Sequence, residues 1–452
     1  MKTYCKHLVV SDEKKIFDGI TKYMHDKYRK NSSVRFFSNY MGVSREYVRE
    51  NFKPGSDFWN ESHKMLSEDM AFHIRTRTVK EHIASCSYGL PLIRYTKIKD
   101  RGSGKERELG LETVLFRLYE VVTGNATEPM FRAKIGIYQC SSIKNRGQNY
   151  GKKAVRKWIS GDVEGTKYFA KADVQKCYPS MPHDKILGLL HRDLRKSEEL
   201  LYLYETFFEI YEEWPSPEAV SNDVGILIGS PVSKDLCNYF LSYAYHYASE
   251  NLVKTVCRRG QTKMKRLVKH VIFYADDIVM YGSNKKDMRA AVEKMIEYMS
   301  EFLGMRIKSD WIISKTMHQA IDGKPKGGLL DYMGFRFHGG SVSTKQYFGN
   351  SKRHRETWVT IRRNIFLTGR RKMALFSRRI KKHIQISRKF AMSVISSYGW
   401  FKNTDMFKYR RKHRVDKLMK VARKIVSDYA KGKEYDEKKY YKMWRRYYVC
   451  GK

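Results

Sequence analysis

FYADDIVMYG, residues 273–282, places two adjacent carboxylates, Asp276 and Asp277, inside an apolar run. Strand-forming residues precede the pair at 271–273 and follow it at 278–280. Two short apolar runs separated by a polar pair predict a β-hairpin that turns at the aspartates. An exposed turn would explain two aspartates as well as a metal site would, so the rest of the sequence has to separate the two interpretations.

A third carboxylate, Asp173, follows the short apolar run 168–170 in FAKADVQKCYPSM (169–181). Successive side chains of a strand point to opposite faces, so we expect only one of Asp276 and Asp277 to ligate a metal strongly. Asp173 beside Asp276 on a neighbouring strand would form an oxygen-rich site, which hard divalent cations prefer. Three carboxylates without a cation repel one another and raise at least one pKa, which favours a metal-binding role.

The charge balance points to a polyanionic partner. Lys and Arg number 89 against 48 Asp and Glu, a net charge of +41 over 452 residues. Residues 341–452 contain 33 basic and 7 acidic residues, interspersed with aromatic residues. A folded surface that faces nucleic acid is the expected use of this surplus, with a solvated basic surface as the alternative.

Seven scattered cysteines without a CxxC pair argue against a disulfide framework and against a zinc site. No secretory leader is apparent, and no apolar run approaches the length of a membrane span. We therefore expect a soluble cytoplasmic protein that does not enter a membrane.

Residues 1–90 are expected to form an N-terminal helical extension. Within it, FFSNYMGVSREYVREN (36–51) is typical of a helix, a glycine turn and a serine-led second helix. This pattern fits a helix-turn-helix, or a helical hairpin that packs on the main body.

Tyr-Ala-Asp-Asp in an apolar hairpin resembles the signature of reverse transcriptases, and further blocks follow in that family's order. These blocks are KADVQKCYPSMPHDKIL (171–187), GILIGSPVSKDLCNYFLS (225–242), LGMRIKSDW (303–311) and LDYMGFRFHGG (330–340). Upstream, GKEREL (104–109) and SSIKNRGQNYGKKAVRKWI (141–159) are similar to the family's fingers segment and to an Arg-Gly block of its bacterial members.

The resemblance implies the metal site and its cofactor. Asp173 and Asp276 would bind two Mg²⁺ ions, with Mn²⁺ as a substitute. Asp277 and the backbone carbonyl of Val174 would assist them. Lys308 would protonate the leaving pyrophosphate.

The resemblance also implies how the incoming nucleotide is held. Lys105 and Arg107 would contact its triphosphate, and Tyr178 would clash with a ribose 2′-hydroxyl. The pocket would be shaped by Gly229, Ser230 and Asn238.

The expected fold is α+β, a right-hand polymerase in which the palm is an antiparallel sheet. Fingers are expected at 91–170, the palm at 171–343, and a basic helical thumb with a C-terminal tail at 344–452. The pattern is interpreted as helical after residue 345, and basic residues in 351–390 would track a duplex while other positions pack.

The implied activity is RNA-directed DNA polymerisation from dNTPs on a structured noncoding RNA template, with nascent DNA as product. Ile228 stands before Gly229 where many bacterial members carry glutamine, and with ISSYGWFKN (395–403) this looks most like diversity-generating and phage-defence enzymes. Defence is the preferred role, with a mutagenic diversity-generating enzyme as the alternative. An RNA-templated RNA polymerase and an RNA-binding scaffold are also compatible with these features, and a homo-oligomer or an accessory protein stays open.

Two further segments have more than one interpretation. The insert CRRGQTKMKRLVKH (257–270) could contact template or scaffold RNA, or could be a solvated connection. A tyrosine of the tail EYDEKKYYKMWRRYYVCGK (434–452) could prime DNA synthesis, or the aromatic residues could stack on RNA or pack internally.

Overall fold

The computed structural model describes residues 3–99, 106–320, 322–347 and 350–449. The chain divides into two compact units. The first contains Met1–Gly147, Ala170–Met280 and Lys286–Ile312. The second contains Gln148–Phe169, Tyr281–Lys285 and Ile313–Lys452. These units are not contiguous in sequence, and the predicted division into four consecutive segments stays a prediction.

Helices form both ends of the described chain, and the strands lie between residues 93 and 361. The helices are α1 (Glu13–Met24), α2 (Asn31–Tyr40), α3 (Arg45–Asn51), α4 (Asp57–Thr76), α5 (Val79–Ser85), α6 (Val114–Lys134), α7 (Gln148–Gly161), α8 (His183–Leu194), α9 (Glu198–Glu213), α10 (Ser233–His246), α11 (Lys285–Glu301), α12 (Arg363–Lys381), α13 (Arg388–Lys402), α14 (Phe407–Lys412), α15 (Val415–Ala430) and α16 (Glu437–Trp444). The strands are β1 (Ile93–Lys99), β2 (Glu106–Glu112), β3 (Tyr168–Asp173), β4 (Val253–Arg258), β5 (Gln261–Arg266), β6 (His270–Tyr274), β7 (Asp277–Gly282), β8 (Ile312–Lys315), β9 (His318–Gln319), β10 (Pro325–Lys326), β11 (Leu330–Tyr332), β12 (Phe335–Tyr347) and β13 (Asn350–Ile361).

The N-terminal part of the first unit is helical from α1 to α5. Helices α2 and α3 are joined by a turn in which Gly42 has a φ of 65°, and the Ser44 side chain caps α3 by accepting a hydrogen bond from the Tyr47 amide. The predicted helix, glycine turn and serine-led helix are therefore present. Phe37 and Phe52 are buried and both rings contact His63 of α4, so the pair packs on the rest of the helical region.

The predicted catalytic hairpin is formed by β6 and β7. The central sheet has the strand order β6-β7-β3-β8, so the strand that carries Asp173 lies next to the strand that begins at Asp277. Phe273 and Ile278 are buried on either side of the turn. Ala275, within the turn, has a left-handed φ of 52°, a conformation that residues with a side chain rarely adopt.

A second hairpin in the first unit, β1 with β2, is antiparallel, with Arg107 opposite Ile98. The Gly110 amide of β2 donates a 3.1 Å hydrogen bond to the Ile228 carbonyl. A Cβ at Gly110 would lie 2.8 Å from Leu227 Cδ2, so glycine permits this close approach. The hairpin that carries Arg107 is thereby joined to the loop that leads to Gly229.

The second unit contains an antiparallel sheet in the order β11-β12-β13, followed by helices α12 to α16. The strand pair predicted at 331–343 is confirmed by β11 and β12. The prediction of a helical segment after residue 345 is wrong for 350–361, which pair with β12 as strand β13. The buried residues Thr357, Val359 and Ile361 are spaced two apart, which is the period of a strand and not that of a helix.

Helices α12, α13, α15 and α16 of the second unit share one apolar core. Helix α12 buries Met373, Phe376 and Ile380, which recur at helical spacing, so the basic residues between them stay on its outer positions. In the tail, Tyr440 is buried and its hydroxyl donates to Asp428 at 2.9 Å. Tyr440 therefore packs internally, as one of the two interpretations of the tail expected.

Within the described residues, no helix combines the length and the apolar character that crossing a bilayer requires. The six cysteines of that part of the chain are free thiols.

Candidate active site

Three aspartates meet where strands β3 and β7 lie side by side in the first unit. Asp173 is the last residue of β3, Asp277 is the first residue of β7, and Asp276 occupies the turn before it. The Val174 amide donates a 3.0 Å hydrogen bond to the Asp276 carbonyl. The backbone therefore brings together carboxylates that are about a hundred residues apart in the sequence.

The backbone hydrogen bond leads to Asp276, but the side chain of Asp173 pairs with Asp277 instead. The carboxyl groups of Asp173 and Asp277 share a hydrogen bond. Burial raises the pKa of Asp277 to about 7, and the neighbouring charge of Asp173 adds to the rise. The hydrogen bond from Asp277 lowers the pKa of Asp173. Burial also raises the pKa of Asp276, which is affected by Asp173 through charge alone.

Carboxylate oxygens are the ligands that hard divalent cations prefer. Oδ1 of Asp173 is buried, and it has no hydrogen-bond partner in the described part of the chain. An oxygen atom in this state is a ready ligand for a divalent ion. Among the described residues, no group of three His, Cys, Asp or Glu side chains is arranged to hold a metal ion.

Lys308 lies against Asp173 in both backbone and side chain. Its amide donates to the Asp173 carbonyl at 2.9 Å, and its Nζ lies 3.4 Å from Asp173 Oδ2.

Lys171 was missed by the sequence analysis, although its charge lowers the pKa of both Asp173 and Asp277. Its position two residues before Asp173, on the same face of β3, could have indicated it.

Of the two residues predicted to contact a triphosphate, Lys105 lies outside the described residues. Arg107 is on β2 with an exposed side chain. Its charge opposes the rise in the pKa of Asp276, so the guanidinium is close enough to act on the carboxylate group. Arg107 therefore acts on Asp276 through its charge.

Tyr178 begins a short 3₁₀ helix, Tyr178–Ser180, five residues after Asp173. Its carbonyl accepts a 3.0 Å hydrogen bond from the Ile226 amide, which joins it to the loop before Gly229. The ring is partly buried, and burial raises the pKa of its hydroxyl. Burial therefore keeps the Tyr178 side chain a neutral phenol.

The turn at Gly229 and Ser230 is held by a residue that the sequence analysis missed, Glu120 of α6. Oε1 of Glu120 accepts hydrogen bonds from the Ser230 hydroxyl at 2.8 Å and from the Tyr211 hydroxyl at 2.5 Å. Gly229 has a φ of 113°, which favours glycine. A lone acidic residue in the apolar run VLFRLYEVV (114–122) was the available signal for Glu120.

The side-chain amide of Asn238 donates hydrogen bonds to two backbone carbonyls. Its Nδ2 donates to the Ser141 carbonyl at 3.0 Å and to the Lys234 carbonyl at 2.9 Å. The bond to Ser141 joins α10 to the Arg-Gly block, in which Arg146 donates to the Gly136 carbonyl at 2.6 Å. Asn238 can therefore shape a pocket by fixing its walls.

A cavity of about 970 Å³ lies at these walls. Its lining includes Glu120, Arg146, Gly229, Ser230 and Lys234. Residues from α6, the Arg-Gly block and the start of α10 thus face one space that is large enough for a nucleotide.

Residues 98–317 match the family model described as reverse transcriptase (RNA-dependent DNA polymerase). The matched region contains all three aspartates, Lys308 and the Gly229 turn. No curated protein matches the chain. Domains of this family generally use divalent metal ions, a nucleic-acid template and dNTPs. Residues 98–317 are therefore similar to a reverse transcriptase domain, and this match indicates an RNA-directed DNA polymerase.

Proposed function

We propose that this reverse transcriptase copies a structured noncoding RNA into DNA with Mg²⁺, as part of a bacterial anti-phage defence system. The pairing of Asp173 with Asp277, beside Asp276, is the observation that carries the catalytic part of the proposal. It brings three partly buried carboxylates next to one another within the matched domain.

In the proposed reaction, the 3′-hydroxyl of the primer attacks the α-phosphate of a dNTP, a new phosphodiester bond forms, and pyrophosphate leaves. Asp173 and Asp276 would hold two Mg²⁺ ions, with Asp277 and the Val174 carbonyl assisting. When bound, the cations would acidify the attacking hydroxyl and stabilise the leaving oxygen.

The remaining residues would orient the nucleotide. Arg107 and Lys105 would neutralise triphosphate charge, and Lys308 would donate a proton to pyrophosphate. Tyr178 would exclude ribonucleotides by its bulk. Gly229 and Ser230 would form the floor of the nucleotide pocket.

The proposed architecture is a right hand of fingers, palm and thumb. The β6-β7-β3-β8 sheet would be the palm, the β1-β2 hairpin would belong to the fingers, and α12 to α16 would form the thumb. The basic residues of the last quarter of the chain would neutralise the backbone of the template.

The proposed role in defence rests on the resemblance of Ile228-Gly229-Ser230 and of residues 395–403 to phage-defence enzymes. Phage infection of cells that carry the protein is the direct test of this role. Plaque formation should fall by orders of magnitude with the wild type and should recover when Asp276 and Asp277 are both changed to Ala. Unchanged plaque counts would refute the defensive role.

The catalytic proposal is tested by primer extension on an RNA template with purified protein. Asp276→Ala with Asp277→Ala should abolish dNTP incorporation without lowering the melting temperature. Retained synthesis would refute the assignment. Parallel reactions with NTPs, and with Mn²⁺ in place of Mg²⁺, separate a DNA polymerase from an RNA polymerase and measure the ion preference.

Sequencing the nucleic acid that copurifies with the protein would identify the template. A single structured RNA with a matching cDNA is the expected result. A mutagenised copy of a variable gene would instead indicate a diversity-generating enzyme, and RNA without DNA, unaffected by the alanine changes, would indicate a scaffold.

A further inference from the structure

The insert at 257–270 contains part of a β-ribbon that the catalytic proposal does not use. Strands β4 and β5 pair antiparallel from Val253 opposite Arg266 to Arg258 opposite Gln261. The connecting residues Arg259 and Gly260 have φ values of 52° and 71°, as expected for a two-residue hairpin turn. With six residues in each strand, the ribbon is about 20 Å long.

All charged side chains of the ribbon are positive. Residues 253–266 contain six Lys or Arg and no Asp or Glu. Every residue of β5 is exposed. A two-stranded hairpin of this kind is marginally stable alone, so a fixed ribbon needs an anchor at its base.

Asp287 of α11 supplies the anchor. Lys254 and Lys265 are directly opposite each other in the ribbon, where like charges repel. The buried Asp287 carboxylate lies 2.5 Å from Lys254 Nζ and 3.3 Å from Lys265 Nζ. Leu252 and Leu267 are buried at the same end and share a 2.8 Å backbone hydrogen bond.

Three other cations of the ribbon have no such neutralisation. Arg259 at the turn, and Lys263 and Arg266 on β5, have exposed side chains. None of these three forms an ion pair with a described acidic residue at salt-bridge distance. Met264 is the main exposed apolar side chain, with 66% of its surface accessible. A single methionine among cations does not offer the apolar centre that a protein interface needs.

We propose that the β4–β5 ribbon is a binding element for the phosphate backbone of nucleic acid, separate from the catalytic carboxylates. Asp287 holds the base of the ribbon, and Arg259, Lys263 and Arg266 present their charges to phosphates. Backbone contacts of this kind add affinity without reading sequence. The same chemistry is offered by an RNA duplex and by an RNA–DNA duplex.

The proposal is tested with the full chain carrying Arg259→Gln, Lys263→Gln and Arg266→Gln together. The matched control carries Lys14→Gln, Lys53→Gln and Lys64→Gln, which remove the same charge from exposed positions of α1, of the α3–α4 loop and of α4. Fluorescence anisotropy with a labelled duplex of about 20 base pairs, either RNA or RNA–DNA, in EDTA without dNTPs, measures binding over a series of salt concentrations.

Loss of up to three phosphate contacts should weaken binding by at least about 10-fold and reduce the slope of log Kd against log salt by about 2 to 3. The control should change the slope by less than about 1. Equal effects of the two triple variants, or no effect of the ribbon variant on either duplex, would overturn the proposal. Comparison of the two duplexes shows which nucleic acid the ribbon contacts.

This test is independent of catalysis. The same ribbon changes on the Asp276→Ala, Asp277→Ala background should weaken binding to the same extent. A ribbon effect therefore stands even if the catalytic assignment fails. Unchanged melting temperatures in all variants are required for the comparison, and the exposed positions chosen favour this result.

Discussion

Ser230 and Glu120 are joined by a 2.8 Å hydrogen bond from the serine hydroxyl to Oε1 of the buried carboxyl group. The Ser230 oxygen in turn accepts hydrogen bonds from the amides of Val232 and Ser233, at 3.2 and 3.3 Å. These amides lie at the start of α10. Glu120 therefore orients the hydroxyl that caps the helix behind the proposed nucleotide pocket, and it is a positioning residue.

Replacement of Glu120 should impair nucleotide binding more than chemistry. Glu120→Leu removes the acceptor for Ser230 and Tyr211, and each unsatisfied buried hydroxyl costs about 1–3 kcal/mol. We expect the KM for dNTPs to rise by about 10-fold or more, with a smaller change in kcat. Glu120→Gln keeps an acceptor oxygen of the same size, so it should restore the wild-type KM. A Glu120→Gln enzyme as defective as Glu120→Leu would contradict the assignment.

Lys308→Met should lower the turnover number. If Lys308 protonates pyrophosphate, its loss should reduce kcat by about 10²-fold or more, as is usual for a general acid. The lysine also lies 3.4 Å from Asp173 Oδ2, so its removal should leave the apparent affinity for Mg²⁺ equal or tighter. Single-turnover incorporation and a magnesium titration measure the two effects. An unchanged kcat would rule out the proton-donor role.

Tyr178→Ala should relax sugar discrimination. Removing the ring opens the space that a ribose 2′-hydroxyl would need, so the ratio of kcat/KM for dNTPs to that for NTPs should fall by at least about 10-fold. Tyr178→Phe keeps the ring and should keep the ratio. Incorporation of single dNTPs and NTPs on the same primer gives both values. Equal ratios in the alanine and phenylalanine variants would show that the Tyr178 ring does not exclude ribonucleotides.

Acid should destabilise the first unit through His63. The ring is fully buried, its Nδ1 hydrogen donates to the Trp59 carbonyl at 2.7 Å, and burial lowers its pKa to about 4. The neutral form is favoured in the folded state, so this stabilisation is complete above the unfolded pKa of about 6.5 and is lost as the pH falls towards 4. Between pH 7 and pH 5 the loss amounts to about 2 kcal/mol.

His63→Phe removes this titration and keeps an aromatic ring in place. The free energy of unfolding of the wild type, measured by denaturant titration, should fall more steeply between pH 7 and pH 5 than that of the variant. If the free energy of unfolding falls equally with pH in the two proteins, His63 does not contribute to the loss of stability in acid.

The order of the blocks could be predicted from the sequence because each block carries its own local signal. Apolar residues on both sides of Asp276-Asp277 predicted the β6-β7 hairpin, and the run before Asp173 predicted β3. The strand at 350–361 was not predicted, because frequent basic residues obscured its two-residue alternation and its partner strand is what stabilises it.

The sequence by itself determined the surplus of positive charge, and it identified the three carboxylates from which the proposed site is built. Tertiary structure alone decided that Asp277 pairs with Asp173, that Glu120 holds Ser230 from 110 residues away, and that Asp287 anchors a basic ribbon. The physical reason is that a strand or a turn is encoded by neighbouring residues, whereas hydrogen bonds and ion pairs between distant residues depend on how the elements pack.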